Sequence, residues 1–115
     1  MEIYIGRNGE FDIYAASVIK RARRITDKRN NELICVLPYQ VKNIDYYERY
    51  YDSVIIPENV IGVYPKSSIT IRNRWIIENC DLVICYVERE EGGAYSAMKY
   101  AQKLNKKIIN LATAK

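Results

Sequence analysis

The sequence predicts an α/β fold: a parallel sheet of five short strands in the order 3-2-1-4-5, layered between helices. Two observations carry that expectation. Segments of strand character alternate with segments of helical period along the chain, and every strand candidate is short and apolar, with no hairpin dipeptide joining one to the next. Right-handed crossovers then favour an order in which the chain reverses direction across the sheet between its first and fourth strands. Ligands of such sheets sit at the carboxyl ends of the strands beside that reversal. Here that points to residues 6–10 and 86–93.

The elements follow in order. Glu2 to Gly6 carries two isoleucines and a tyrosine and reads as a strand buried on both faces at the sheet centre. From Phe11 the apolar positions Phe11, Tyr14, Ala15, Val18, Ala22 and Ile25 draw one stripe along a helix, which polar residues 28–31 end. Glu32 to Pro38 is a continuous apolar run closed by proline, as expected of a buried parallel strand. Residues 39–52 mix tyrosines with charges and suit a short helix or an ordered loop. Ser53 to Pro57 reads as a third strand. A second helix is expected from Ser67 or Ser68, either of which can cap it, to about Asn79, with Ile69, Trp75, Ile76 and Ile77 on its apolar side. Asp81 to Val87 is the most hydrophobic strand. After a polar loop, Ala94, Ala97, Met98, Ala101 and Leu104 mark a third helical stripe, and Lys107 to Leu111 closes the sheet. One domain over residues 1–112 is expected, with 113–115 a frayed tail.

Composition narrows the chemistry. The chain of 115 residues is 49% apolar, enough for one core, and has no apolar run long enough to span a bilayer. No leader precedes the first strand, so a cytoplasmic protein is expected. It contains no histidine, which removes every triad or base that depends on one. Cys35, Cys80 and Cys85 are odd in number and widely spaced among apolar neighbours, which argues against a zinc site or a disulfide framework. No metal and no cofactor is expected. The net charge of +4 owes much to Lys20, Arg21, Arg23, Arg24, Lys28 and Arg29 near the end of the first helix. Such a cluster either complements the helix dipole or contacts nucleic-acid phosphates. Eleven tyrosines against one Phe and one Trp suit a wet aromatic site, an interface or a core. Tyr46, Tyr47, Tyr50 and Tyr51 would form one flank if helical.

Candidate ligand-binding residues gather at two glycine turns. Gly6 and Gly9 bracket a sharp strand-to-helix turn whose free amides would welcome a phosphate or carboxylate, and Arg7 and Asn8 project from it without an apolar role. Glu10 and Asp12 favour the helix start themselves and suit ribose hydroxyls better. Gly92, Gly93 and Ala94 form a second such turn after the fourth strand, with Tyr86 at that strand's end and Ser96 in the first helical turn. Arg72 and Asn73 precede Trp75 on the second helix. From there Arg72 either points inward or is solvated.

Three blocks, YIGRNGEFD at 4–12, IRNRWIIENCDLVICYV at 71–87 and GGA at 92–94, make most of the chain resemble the SLOG superfamily. Within it the likeness is to the small single-domain bacterial and phage proteins related to YpsA. The resemblance implies a three-layer Rossmann-like domain that binds nucleotides or their derivatives. Residues 6–10 would line the first loop, Arg72 and Asn73 the facing helix, and Gly92, Gly93 and Ser96 the phosphate side. The superfamily it resembles also contains phosphoribohydrolases, whose PGGxGTxxE motif supplies a catalytic glutamate. Here EGGAYSAMKYA keeps the glycines but has Met98 or Lys99 where that glutamate belongs. Binding is therefore the first expectation: a domain that senses or sequesters a nucleotide-derived signal, NAD- or ADP-ribose-derived or cyclic, in bacterial or phage defence. An N-glycosidase acting on nucleotides is the alternative, with Glu10 as candidate catalytic carboxylate and Glu88 or Glu91 in reserve. Nucleic-acid binding ranks third. A homo-oligomer is expected from the tyrosines and from the resemblance, and no membrane partner.

Overall fold

The computed structural model describes all residues except 1, 7–9, 27–31, 114 and 115, with the backbone alone at residues 10 and 23–26. Strand and helix alternate as the periodicities require. The order is β1 (Glu2–Ile5), α1 (Glu10–Thr26), β2 (Glu32–Val36), α2 (Ile44–Tyr50), β3 (Ser53–Ile55), a 3-10 turn (Glu58–Val60), α3 (Pro65–Glu78), β4 (Leu82–Cys85), α4 (Gly93–Lys103) and β5 (Lys107–Asn110). All paired strands are parallel. No helix among the described residues is long and apolar enough to cross a membrane.

The strands do not join into the expected five-stranded 3-2-1-4-5 sheet. They form a three-stranded sheet, β1-β2-β3, and a separate two-stranded sheet, β4-β5. An apolar run marks a strand without encoding its neighbour. Here α3 packs on β1, with Trp75 edge-on to Tyr4 at 5.4 Å, and β4 pairs along one edge with β5, Ile84 opposite Ile109. Two corrections follow. β1 is an edge strand of its sheet, with Glu2 exposed and Ile3 and Tyr4 half-buried, while β2 holds the centre with Leu33 to Val36 buried. β4, the most hydrophobic segment, leaves Leu82 and Ile84 exposed.

The core gathers Ile5, Ala16, Leu33, Cys35, Leu37 and Tyr51, with Ile19, Tyr47 and Tyr50 packed against it. Ala16 and Ile19 thus set α1 on its sheet, whereas Tyr14 and Val18 of the expected stripe are exposed. Residues 16 and 19 lie on a different side of the helix from 14 and 18, and the small side chain at 16 lets the helix approach the strands closely. Tyr47 stacks on Tyr51 at 6.4 Å, so part of the tyrosine flank of α2 belongs to this core. Lys20 reaches across from α1, its ammonium 3.8 Å from the Tyr50 ring centroid and donating to the Tyr50 carbonyl. Asp52 joins β2 to the turn before β3: its carboxylate accepts from the Leu33 amide at 2.7 Å, and its own amide donates to the Leu33 carbonyl.

Neither Ser67 nor Ser68 caps α3. The helix opens at Pro65, whose missing N–H and fixed φ suit a first helical position, and the buried Ser68 hydroxyl donates back to the Tyr64 carbonyl at 3.0 Å. The helix α3 also packs on α4, with the Arg74 guanidinium 5.1 Å from the Tyr100 ring centroid. On the far side of α4, the Asn110 amide holds the end of β5 to the segment after β4. Its Oδ1 accepts from the Val87 and Ala112 amides, and its Nδ2 donates to the Val87 carbonyl. Past β5, Thr113 turns back to donate to the Asn110 carbonyl.

Candidate functional site

The inward side of α3 is polar. Ser68 and Arg72, four residues apart, lie on one face and are the buried polar side chains among the described residues, at 0% and 1% exposure. Arg72 projects across the carboxyl ends of β1 and β2. Its Nη1 donates to the Val36 carbonyl at 2.9 Å, and its Nε donates to the Asn73 Oδ1 at 2.8 Å.

Gly6 makes this possible. A Cβ at Gly6 would stand 2.7 Å from the Arg72 Cζ and 2.9 Å from both Nε and Nη1, far inside van der Waals contact. The glycine is therefore required by the close approach of the guanidinium to the first turn. Burial pushes the Arg72 pKa down, opposed by the negative charge of Asp12 and by Cys35 and Tyr39, and a guanidinium stays charged regardless. Its Nη2 is buried with no hydrogen-bond acceptor among the described residues. A buried donor on a cation left in that state costs about 1–3 kcal/mol or more, so the site favours any anion that reaches it.

Asn73 carries the site to the second glycine turn. With its oxygen accepting from Arg72, its Nδ2 lies 3.9 Å from where a Cβ of Gly93 would stand. Gly93 opens α4, and Gly92 before it has φ +93°, a backbone conformation that favours glycine. No side chain caps this helix, and its first backbone bond runs from the Ser96 amide to the Gly92 carbonyl. The amides of the opening turn are thus donors of the kind that bind anions.

Beside the turn is a cleft of about 310 Å³, lined by Tyr86, Val87, Glu88, Arg89, Glu91, Ala94 and Tyr95. Its aromatic walls offer faces for a planar ring, and Glu88 and Glu91 offer acceptors for hydroxyl or amino groups. Tyr86 stacks on Phe11 of α1 at 6.3 Å, which ties the cleft to the start of that helix. A hydrogen bond to Glu88 and the charge of that carboxylate raise the Tyr86 phenol above its ordinary pKa.

Of the residues expected from sequence, Gly6, Arg72, Asn73 and Gly93 come together, and Tyr86 and Ala94 line the adjoining cleft. Gly92 sets the turn, and Ser96 is exposed one turn into α4. Arg7, Asn8 and Gly9 lie outside the described residues, as do the Glu10 side chain and the Lys28 and Arg29 part of the basic cluster. Sequence reasoning missed Arg89 and Tyr95 as lining residues and the Val36 carbonyl as the anchor of Arg72. The one available signal was the Ser68, Arg72 spacing, which puts two polar residues on the face of α3 where apolar ones belong. No protein-family model, curated protein or solved structure matches the chain.

Proposed function

We propose that this protein binds a nucleotide-derived anion across the two glycine turns. A phosphate would be held by Arg72 and the opening amides of α4, and the base or ribose would lie in the cleft of Tyr86, Glu88, Glu91 and Tyr95. The observation that carries the reading is the buried Arg72 guanidinium, seated against Gly6 with Nη2 lacking an acceptor among the described residues. Support also comes from Asn73, which links that arginine to Gly93. The chain's resemblance to the Rossmann-like SLOG proteins, and the role of holding a signalling nucleotide in bacterial or phage defence, belong to this same proposal. Calorimetric titration with ADP-ribose, NAD and cyclic dinucleotides tests it. One of them binds with a Kd in the micromolar range, and Asn73→Ala and Arg72→Lys each weaken it at least about tenfold, or roughly 1.4 kcal/mol. Absence of binding by wild-type protein at millimolar ligand rules the proposal out.

One observation favours a second reading, an N-glycosidase. Glu88 and Glu91 both border the cleft, where a carboxylate can stabilise an oxocarbenium-like centre. Release of free base from a bound nucleotide, abolished by Glu88→Gln or Glu91→Gln, would establish it. Intact nucleotide after prolonged incubation at high protein concentration would dismiss it.

A further inference from the structure

The cleft beside the second glycine turn suits a charge opposite to the one the turn itself attracts. Its lining carries two aromatic rings, Tyr86 and Tyr95, two exposed carboxylates, Glu88 and Glu91, and one cation, Arg89, so negative charge is in excess there. The Tyr86 hydroxyl donates to Glu88, which keeps that carboxylate beside the ring. Phe11 backs the Tyr86 ring at 6.3 Å with an interplanar angle of 28°. Tyr95 already draws a cation: the Lys99 ammonium, one turn along α4 and outside the cleft lining, stands 5.9 Å from its ring centroid. The face of a phenol ring is negative, which is why a cation settles over it. A phosphate is therefore repelled from the cleft, and a neutral base finds stacking alone. A planar cation finds stacking, the ring quadrupoles and the carboxylate charge together.

We infer that the cleft takes a planar aromatic cation, and that the ligand is an oxidised pyridine nucleotide, its pyridinium ring against Tyr86 and Tyr95 and its phosphate toward Arg72 and the opening amides of α4. The inference rests on the anion site proposed above and goes beyond it by fixing the charge of the ligand's other end. The two ends of the site adjoin as the two ends of such a molecule do. Arg72 is a buried cation whose Nη2 has no acceptor among the described residues, and Asn73 links it to Gly93 at the start of α4. Ala94 and Tyr95, the next residues, line the cleft. Its volume of about 310 Å³ lies at the low end of small-molecule sites, enough for a ring and its ribose. Reduction of the ring removes its positive charge and leaves ribose and phosphates as they were, so the cleft reads redox state. A cation over an exposed aromatic face is favoured about two- to fivefold, and an exposed carboxylate adds a similar factor, which together give a preference of about tenfold.

Calorimetric titration of the full chain with NAD+, NADH and ADP-ribose tests the inference. NAD+ binds about tenfold tighter than NADH, and ADP-ribose, which lacks the ring, binds no tighter than NADH. Raising salt from about 0.05 to 0.5 M narrows the ratio of NAD+ to NADH affinity, because exposed carboxylates are screened, and this comparison needs no variant. Replacing both acids, Glu88→Gln together with Glu91→Gln, leaves the ring contribution alone and reduces the ratio to about two- to fivefold. Equal affinities for NAD+ and NADH, a ratio indifferent to salt, or a ratio undiminished in the folded double variant each overturn the inference and leave the anion site standing. Binding of a cyclic dinucleotide without binding of NAD+ does the same. Failure of all these ligands to bind at millimolar concentration removes the anion site and the inference with it.

Discussion

Gly6→Ala probes the contact on which the site rests. The new methyl would stand 2.7 Å from the Arg72 Cζ, whereas carbon atoms in contact keep about 3.5–4.0 Å, so the guanidinium must withdraw by roughly 0.8 Å or more. It is held by bonds of 2.9 Å to Val36 and 2.8 Å to Asn73, and such a withdrawal takes at least one past hydrogen-bonding distance. A hydrogen bond to a charged group contributes about 1.5–3 kcal/mol. Alanine also narrows the unfolded ensemble, which returns about 0.4–1 kcal/mol. The net expectation is a loss of about 1–2 kcal/mol. Urea denaturation should show a lower midpoint at an unchanged slope, and the Tm should fall by about 4–8 °C for a domain of this size. The test of cause is a double-mutant cycle. In an Arg72→Ala background the guanidinium that the methyl would meet is gone, so Gly6→Ala should cost little there and reveal a coupling of about 2 kcal/mol. Equal cost in both backgrounds, or no cost in the wild type, would refute the close-approach account.

Two further outcomes are expected. Asn110→Ala strips the Val87 amide and carbonyl of their side-chain partner, and Val87 is buried, so about 2 kcal/mol of stability should be lost in chemical denaturation; a change below about 0.5 kcal/mol would show that this clamp is idle. The second concerns alkaline pH. Burial raises the Cys80 and Cys85 thiols above their ordinary pKa, and Tyr4 is raised first by its hydrogen bond to Glu2 and then by burial. The folded chain therefore keeps protons that the unfolded chain releases, so these groups add no pH dependence below the unfolded thiol pKa of about 8.5 and lower stability as pH rises above it. A urea midpoint that declines above pH 9, less steeply when both cysteines are replaced by serine, is the expected record, and an identical slope in the two proteins would contradict it.

Much of the local architecture was written in the residue pattern. The alternation of apolar runs with helical periods located five strands and the three longer helices within a few residues, because side-chain period reports which backbone conformation can bury an apolar face. The tyrosine-rich stretch 39–52 admitted a helix or a loop, and α2 occupies its second half. Gly6, Arg72, Asn73 and Gly93 were legible as candidates for a similar reason: glycines and polar groups stood where packing alone gave them no use. Their mutual contact was not legible. It depends on α3 packing beside β1 so that Arg72 reaches across the carboxyl ends of β1 and β2, and spacing along the chain says nothing about which element packs on which.

By itself, then, the sequence determined the elements, their parallel sense and the residue types collected at the strand ends. Tertiary structure alone decided that β1 is an edge rather than a centre and that, among the described residues, β4 pairs with β5 and not with β1, because ladder partners are chosen by docking and not by propensity. It also decided which side of α1 faces the core. A helix with apolar residues on more than one side buries the side whose shape fits, and the small Ala16 fits where Tyr14 does not. The stripe left over, Tyr14 and Val18, stays at the surface.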